Sequence, residues 1–365
     1  MKSIHVRAEA FCNRFGLRVP ILLAPMAGVS SPLLSIAVAS AGGLGACGAL
    51  LMRPEEIIAW AGAVRAGTIG AFQLNLWIPD PPPKRDASRE ERVCKFLASW
   101  GPPVPVEAGD AKPLDFSAQC DALIAAAPPI VSSVMGLYPP EFVRQLKQLG
   151  IAWFANVSTV SEARAAQAAG ADVIVAQGME AGGHRGCFDA AEAERKQIGL
   201  FALLPAVVDA VNLPVVATGG IADARGIAAA LMLGASAAQI GTAFLRCPEA
   251  NIHPAWAGAL AQAAPEDTVV SRVFSGRAGR SLVTDYVRAA TASDAPLPAP
   301  YPVQRALTAT MRADAQKCGD VQRMQAWAGQ SAGLARVAPA ADLVRELWNG
   351  AEELIGGPNR HQAAE

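Results

Sequence analysis

Charge is scarce in this sequence. Lys, Arg, Asp and Glu make up 17% of 365 residues and leave a formal net charge of -1. Such a balance provides no electrostatic footprint for nucleic acid or an anionic membrane, so neither is expected as a partner. Histidine is rarer still: His5, His184, His253 and His361 stand far apart, without H-x-H or H-x-x-x-H spacing, so no metal site is expected. The seven cysteines (Cys12, Cys47, Cys94, Cys120, Cys187, Cys247, Cys318) are odd in number, scattered and free of any C-x-x-C pair. That pattern excludes a disulfide framework or a structural zinc site and points to a reducing cytoplasm. The opening MKSIHVRAEAFCNRFG has no continuous apolar core of the secretory kind. No sequence repeat or low-complexity tract is present.

Apolar residues, by contrast, reach 52%, enough for a large core. Residues 20–52 carry no charge and are long enough on paper to cross a bilayer. However, Pro20, Pro25 and Pro32, with Gly28, Gly42, Gly43, Gly45 and Gly48, punctuate the run. Runs of that kind suit strands buried on both faces of a parallel sheet. Small-molecule chemistry is the expected work.

Eight strand-like runs follow one another: 20–28, 44–50, 71–77, 129–136, 152–158, 172–178, 214–220 and 237–245. Longer, Ala-rich helical stretches separate them; SSPLLSIAVASAGG, for instance, opens on serine and closes on glycine. Alternation of strand and helix predicts a parallel sheet, and eight units match a (β/α)8 TIM barrel, with a doubly wound sheet as the alternative. The barrel is expected over residues 1–249. Residues 79–128, entered through PDPPP, are too long for a plain connection and read as a helical insertion after the third strand. Residues 250–365 read as a mainly helical C-terminal subdomain packing on the barrel.

GGLGACG, from Gly43, matches G-x-G-x-x-G, but it follows a helix and no acid stands about twenty residues on. Close packing of small residues explains it better. ATGGIADARG is more telling: an apolar strand ends in Thr218-Gly219-Gly220, and Asp223 stands where it would cap the next helix. Glycines there let backbone N–H groups approach a phosphate, and Gln239-Ile240-Gly241-Thr242 ends the next strand similarly. In such barrels the loops after strands seven and eight commonly build a phosphate site, though glycines can also merely turn the chain. APMAG ends the first strand and leaves room for a flat ring. Asn75, near the end of the third, either offers its amide to that ring's polar edge or is a solvated loop residue.

QGMEAGGHRGC (177–187) sets His184 among four glycines at the end of the sixth strand. Gly182, Gly183 and Gly186 imply that the chain passes close to something planar or bulky. An imidazole there is placed for general-base work or for stabilising an anion, if it is more than a packing residue. Arg185 and Glu180 read as braces for the loop. Cys187, with no base beside it in sequence, reads as a buried thiol sooner than a nucleophile.

Taken together, APMAG, SAGGLG, FQLNLW with its following P-x-P-P, QGMEAGGHRG, ATGGIADARG, QIGTAFL, SGRAGR, PYPVQ and WAGQ resemble the nitronate monooxygenases, class I. These are FMN-dependent (β/α)8-barrel enzymes formerly called 2-nitropropane dioxygenases. The resemblance covers nearly the whole chain. It implies that Gly219, Gly220, Gln239, Ile240, Gly241 and Thr242 hold the phosphate and ribityl end of FMN. Ala24, Pro25 and Met26 would lie against the isoalloxazine, with Asn75, Gln177, Gly182 and Gly183 completing the site. His184 matches the family's catalytic histidine. The implied substrates are an alkyl nitronate such as propionate 3-nitronate, or a nitroalkane, together with dioxygen. Carbonyl products and nitrite or nitrate result, and the enzyme is a monomer or homodimer. A nitronate calls for charge stabilisation, which a protonated His184 would supply; a neutral nitroalkane calls for a neutral His184 as base. The alternative is an FMN-dependent NAD(P)H:quinone or enoyl-thioester reductase on the same barrel. SSVMG (132–136) stands where a phenylalanine-containing S-F-x-F-G is common, leaving Met135 to cover the flavin face. Gly279 and Thr284 also depart from the usual pattern, near the expected substrate side.

Overall fold

The computed structural model describes residues 4–105 and 107–356. Its strands are β1 (Ile21–Leu23), β2 (Gly45–Gly48), β3 (Phe72–Trp77), β4 (Ile130–Val134), β5 (Ala152–Val157), β6 (Val173–Gln177), β7 (Gly183–His184), β8 (Val215–Thr218), β9 (Ala237–Ile240), β10 (Thr268–Ser271) and β11 (Gly279–Leu282). Eight of them form one parallel sheet in the order β1-β9-β8-β6-β5-β4-β3-β2. Its two edges meet: Leu44 N donates to Ile21 O at 3.0 Å and Leu23 N donates to Leu44 O at 2.8 Å. The sheet is thereby a nearly closed barrel with helices outside, and the doubly wound alternative falls. The run expected over 237–245 divides, because the strand stops at Ile240 and a 3-10 helix occupies Thr242–Arg246.

Alternation along each strand separates two layers. In β3, Phe72, Leu74 and Leu76 join the apolar layer under the outer helices, which turns Gln73, Asn75 and Trp77 toward the axis. The lower axis is apolar, built from Leu22, Leu44, Ile130, Phe154, Val173, Val175, Val216 and Ala237. Helix Ile4–Phe15 plugs that end, with Phe11 and Phe15 at 6.2 and 4.9 Å from the Phe154 ring. The upper axis is polar and buried: Asn75, Ser132, Asn156, Gln177, Thr218 and Gln239. Apart from Gln73, low in β3, this gradient places the polar inward side chains at the C-terminal rim, where barrel active sites are built.

Helix starts follow their caps. Ser31 Oγ accepts from Leu34 N at 3.1 Å, and Asp223 Oδ1 accepts from Gly226 N at 3.0 Å. Gly43 and Gly45 pack as the small-residue reading requires: an added Cβ would lie 2.6 Å from Ile21 O or 2.9 Å from Ser35 O.

Between β3 and β4, helix Ala87–Leu97 leaves the barrel. Its Val93 and Leu97 pack with Val273, Phe274, Tyr286 and Met311 of the C-terminal region. Helix Phe116–Ala126 returns to the barrel wall through Cys120 and Leu123. The region after residue 250 holds sheet as well as helix: its β10 and β11 form a second, three-stranded sheet with β7 of the barrel region. Its last helix, Ala340–Leu354, lies on the barrel wall through Leu343, Val344 and Leu347, against helix Ala224–Met232. No helix among the described residues is long and apolar enough to cross a membrane.

Candidate active site

A cavity of about 250 Å³ opens at the C-terminal end of the barrel. Ala24, Pro25, Met26, Asn75, Gln177, Gly182, Gly183, His184, Gly219, Gly220, Gln239, Gly241 and Thr242 all line it. Of the residues expected to hold the cofactor or act in catalysis, Ile240 alone does not reach it. Its side chain faces the outer apolar layer, and its carbonyl accepts from Ala24 N at 2.8 Å, fixing the end of β1 against β9.

One end of the cavity is a backbone cradle. Gly219 and Gly220 both have positive φ, 113° and 70°. An added Cβ would lie 3.1 Å from Ala181 N at Gly219 and 3.1 Å from Glu180 Cβ at Gly220. Among the described residues their N–H groups have no acceptor in the chain. Consecutive N–H groups turned this way form an anion-binding concavity. Ser331 Oγ donates to Gly220 O at 2.5 Å and Gly329 N donates to Thr242 Oγ1 at 3.0 Å, so a C-terminal segment holds the cradle in place.

The loop after β6 is braced along its length. Gln177 Nε2 donates to His184 O at 3.1 Å, while its Oε1 accepts from Gly186 N at 2.7 Å. Its amide is therefore spent on shaping the loop. Buried Arg185 donates from Nη1 to Gly178 O at 2.7 Å. The Glu180 carboxylate accepts from Leu200 N at 2.8 and 3.0 Å, capping helix Leu200–Ala210 at its positive end. Gly182 leaves no room for a side chain, since a Cβ would sit 2.5 Å from Gly329 N. The loop then forms β7, in which His184 pairs with Gly279 of β11.

His184 is the one titratable group of the sequence-derived set. Its Nε2 lies 2.7 Å from Ser275 Oγ. Trp77 and Trp327 meet the ring edge-on, with centroids 4.6 and 4.8 Å away. Burial, followed by the nearby Arg277, Arg305 and Arg312, lowers its pKa to about 3. The imidazole is neutral at pH 7. Below about pH 6.5 the unfolded chain takes up a proton that folded His184 refuses, so this group erodes stability as pH falls toward 3. Proton acceptance at the ring stays available throughout that window. Accordingly, any proton-abstraction reaction at this site should show no acid limb near pH 6.5 that His184→Asn removes. A limb at that pH traced to His184 would contradict the assignment.

Asn75 is buried, with Nδ2 donating to Ser132 Oγ at 3.0 Å. Met135 is buried and lines the cavity at φ 69°, a conformation that costs a residue with a side chain about 1–3 kcal/mol. Burial and Glu162 push the Cys187 thiol up to about 11, which makes it a packing residue. The two departures nearest the expected substrate side do not line the cavity. Gly279 lies under Trp327, whose ring a Cβ would meet at 3.0 Å, and Thr284 caps helix Asp285–Ala290.

Trp77, Trp327, Ser275 and Arg305 were not singled out from sequence. Trp77 had a signal, since it follows Asn75 by two positions and shares its face. Arg305 lines the cavity and joins no ion pair among the described residues. No group of three or more His, Cys, Asp or Glu among the described residues is placed to hold a metal.

The sequence matches the profile of the family described as nitronate monooxygenase over residues 9–350. It is 39% identical over 345 residues to a nitronate monooxygenase of Paraburkholderia phytofirmans, covering 93% of this chain and 94% of that one. Identity to a nitronate monooxygenase of Pseudomonas aeruginosa is 38% over 354 residues, covering 95% and 99%. Among solved structures it is similar to nitroalkane oxidase from Streptomyces ansochromogenes, with TM-score 0.84, 37% identity and coverage of 94% and 98%. FabK from Thermotoga maritima is also similar, with TM-score 0.74, 28% identity and coverage of 95% and 97%.

Proposed function

The chain belongs to the nitronate monooxygenase family, a family of oxidoreductases, and on that footing we propose that it is an FMN-dependent monooxygenase of alkyl nitronates. Its substrates would be nitronates such as propionate 3-nitronate, and nitroalkanes, with dioxygen as oxidant and a carbonyl compound plus nitrite or nitrate as products. The carrying observation is a histidine, edge-on to Trp77 and Trp327, in one cavity with a backbone cradle whose N–H groups have no acceptor among the described residues. The unpaired cysteines support a reducing, cytoplasmic setting.

The residues present fit FMN. The Gly219–Gly220 cradle, whose space a Cβ would fill, suits the phosphate, with Thr242 beside it. Ala24, Pro25 and Met26 offer an apolar seat for a flat ring, and Asn75 offers a buried amide to its polar edge. FMN supplies the electron acceptance from substrate and the delivery to dioxygen.

The chain's own residues divide the remaining work. Neutral His184 takes the α-proton of a nitroalkane, with Trp77 and Trp327 packed edge-on against its ring. A nitronate has no such proton to lose. Its charge falls to Arg305, so a protonated His184 is not required. Arg305→Gln should therefore raise KM for propionate 3-nitronate about tenfold, the scale of a charge-assisted hydrogen bond. A neutral nitroalkane should lose less, because it brings no negative group for Arg305 to meet. Equal loss for both, or none, would remove Arg305 from recognition.

Oxygen uptake with nitrite release on addition of propionate 3-nitronate to the flavin-loaded protein tests the proposal. Uptake that ignores the nitronate would refute it.

A further inference from the structure

His184 is anchored twice to the C-terminal region: its backbone through β11 and its ring through Ser275. Ser275 is fully buried between β10 and β11. The chain around it is fixed, since Gln304 Nε2 donates to Val273 O at 2.8 Å and Thr308 Oγ1 donates to Phe274 O at 2.7 Å. Gly276, next in line, has φ 87° and abuts backbone, with a Cβ site only 2.5 Å from Ala299 O. The hydroxyl therefore has little freedom to move.

Its single proton can be accounted for. Ser275 Oγ contacts three groups: His184 Nε2 at 2.7 Å, Arg277 N at 3.3 Å and Arg277 O at 3.2 Å. The backbone N–H only donates and the carbonyl only accepts. If Oγ–H goes to the Arg277 carbonyl, Nε2 must carry the ring proton and donate to Oγ. All three contacts are then made. If Oγ–H goes to Nε2 instead, the carbonyl of buried Arg277 loses this donor and is left an unpaired buried acceptor, the costlier arrangement. The Nδ1 atom of His184 makes no hydrogen bond within the described residues, and the ring lines the cavity.

We propose that Ser275 is a positioning residue that holds His184 as its Nε2–H tautomer, leaving Nδ1 as the nitrogen that receives the substrate proton. In that step the α-C–H bond breaks and the proton forms the Nδ1–H bond. The electron pair stays on the substrate as its nitronate. The catalytic half of this inference rests on the function proposed above; the tautomer does not.

The two are tested separately on flavin-loaded protein. Imidazole 15N spectra at neutral pH, with His184 assigned by its absence in His184→Asn, should show Nε2 protonated and Nδ1 bare. Ser275→Ala should shift that balance toward the other tautomer, and Ser275→Thr should retain it. In kinetics, Ser275→Ala should lower kcat for nitroethane about 10- to 100-fold, the cost of a misaligned base. Its effect on kcat for the preformed nitronate should stay within about threefold, because no proton is removed there. Wild-type protein with Nδ1 protonated would overturn the proposal without any variant. So would Ser275→Ala with an unchanged tautomer, or with equal losses on both substrates. Failure of the wild type to turn over either compound would strike the proposed function and leave the tautomer standing.

Discussion

His184→Asn should retain its flavin and lose about 10²- to 10⁴-fold in kcat/KM with neutral nitroalkanes, the range general-base catalysis provides. Asparagine keeps a polar group of similar reach, and the loop backbone is held independently by Gln177 and by pairing with β11. The cradle lies on other strands, at Gly219 and Gly220. Loss should therefore fall on proton removal, not on cofactor binding. The preformed nitronate of the same compound should suffer much less. Side-by-side assays of the two substrates, with flavin content measured on each preparation, give the result. Wild-type turnover of the nitroalkane would take His184 out of the mechanism, and loss of flavin would make it a structural residue.

Gly220→Val carries the second large effect, on cofactor retention. A β-branched residue at φ 70° is strained by about 1–3 kcal/mol. Its Cβ would stand 3.1 Å from the Cβ of Glu180, the residue whose carboxylate caps helix Leu200–Ala210. Relief by rotating the turn would point its N–H groups away from the cavity. FMN affinity should fall roughly 10- to 100-fold, since each 1.4 kcal/mol is a factor of ten. Colour lost on desalting, with recovery at high added FMN, is the expected behaviour. A fully flavinated variant would contradict the phosphate assignment.

The parts of this site that could be read from sequence are those that local backbone chemistry encodes. Thr218-Gly219-Gly220 followed by a capping Asp223 announces a strand, a tight turn and a helix start. The structure has all three. His184 stood out because glycines flank it at 182, 183 and 186. Ser275 and Arg305 have no such local mark. Ser275 is 91 residues from His184 in sequence and reaches it only because two-residue β7 pairs with β11. A strand that short has no period to detect. Ile240 shows the converse limit: its motif is right, but strand alternation sends its side chain to the outer layer. Helix Ala340–Leu354 belongs to the barrel wall for a tertiary reason, namely that Leu343, Val344 and Leu347 bury against helix Ala224–Met232. Packing of the C-terminal region on the barrel is expected as a whole, but no local pattern names this partner helix.

Anaerobic mixing of the flavin-loaded protein with propionate 3-nitronate is the most direct test of the central claim. The proposed function predicts rapid loss of the flavin's visible absorbance with the nitronate, its return on admitting air, and release of nitrite or nitrate. Rapid bleaching by NADH or NADPH, with no response to the nitronate, would contradict it and favour a reductase on the same barrel.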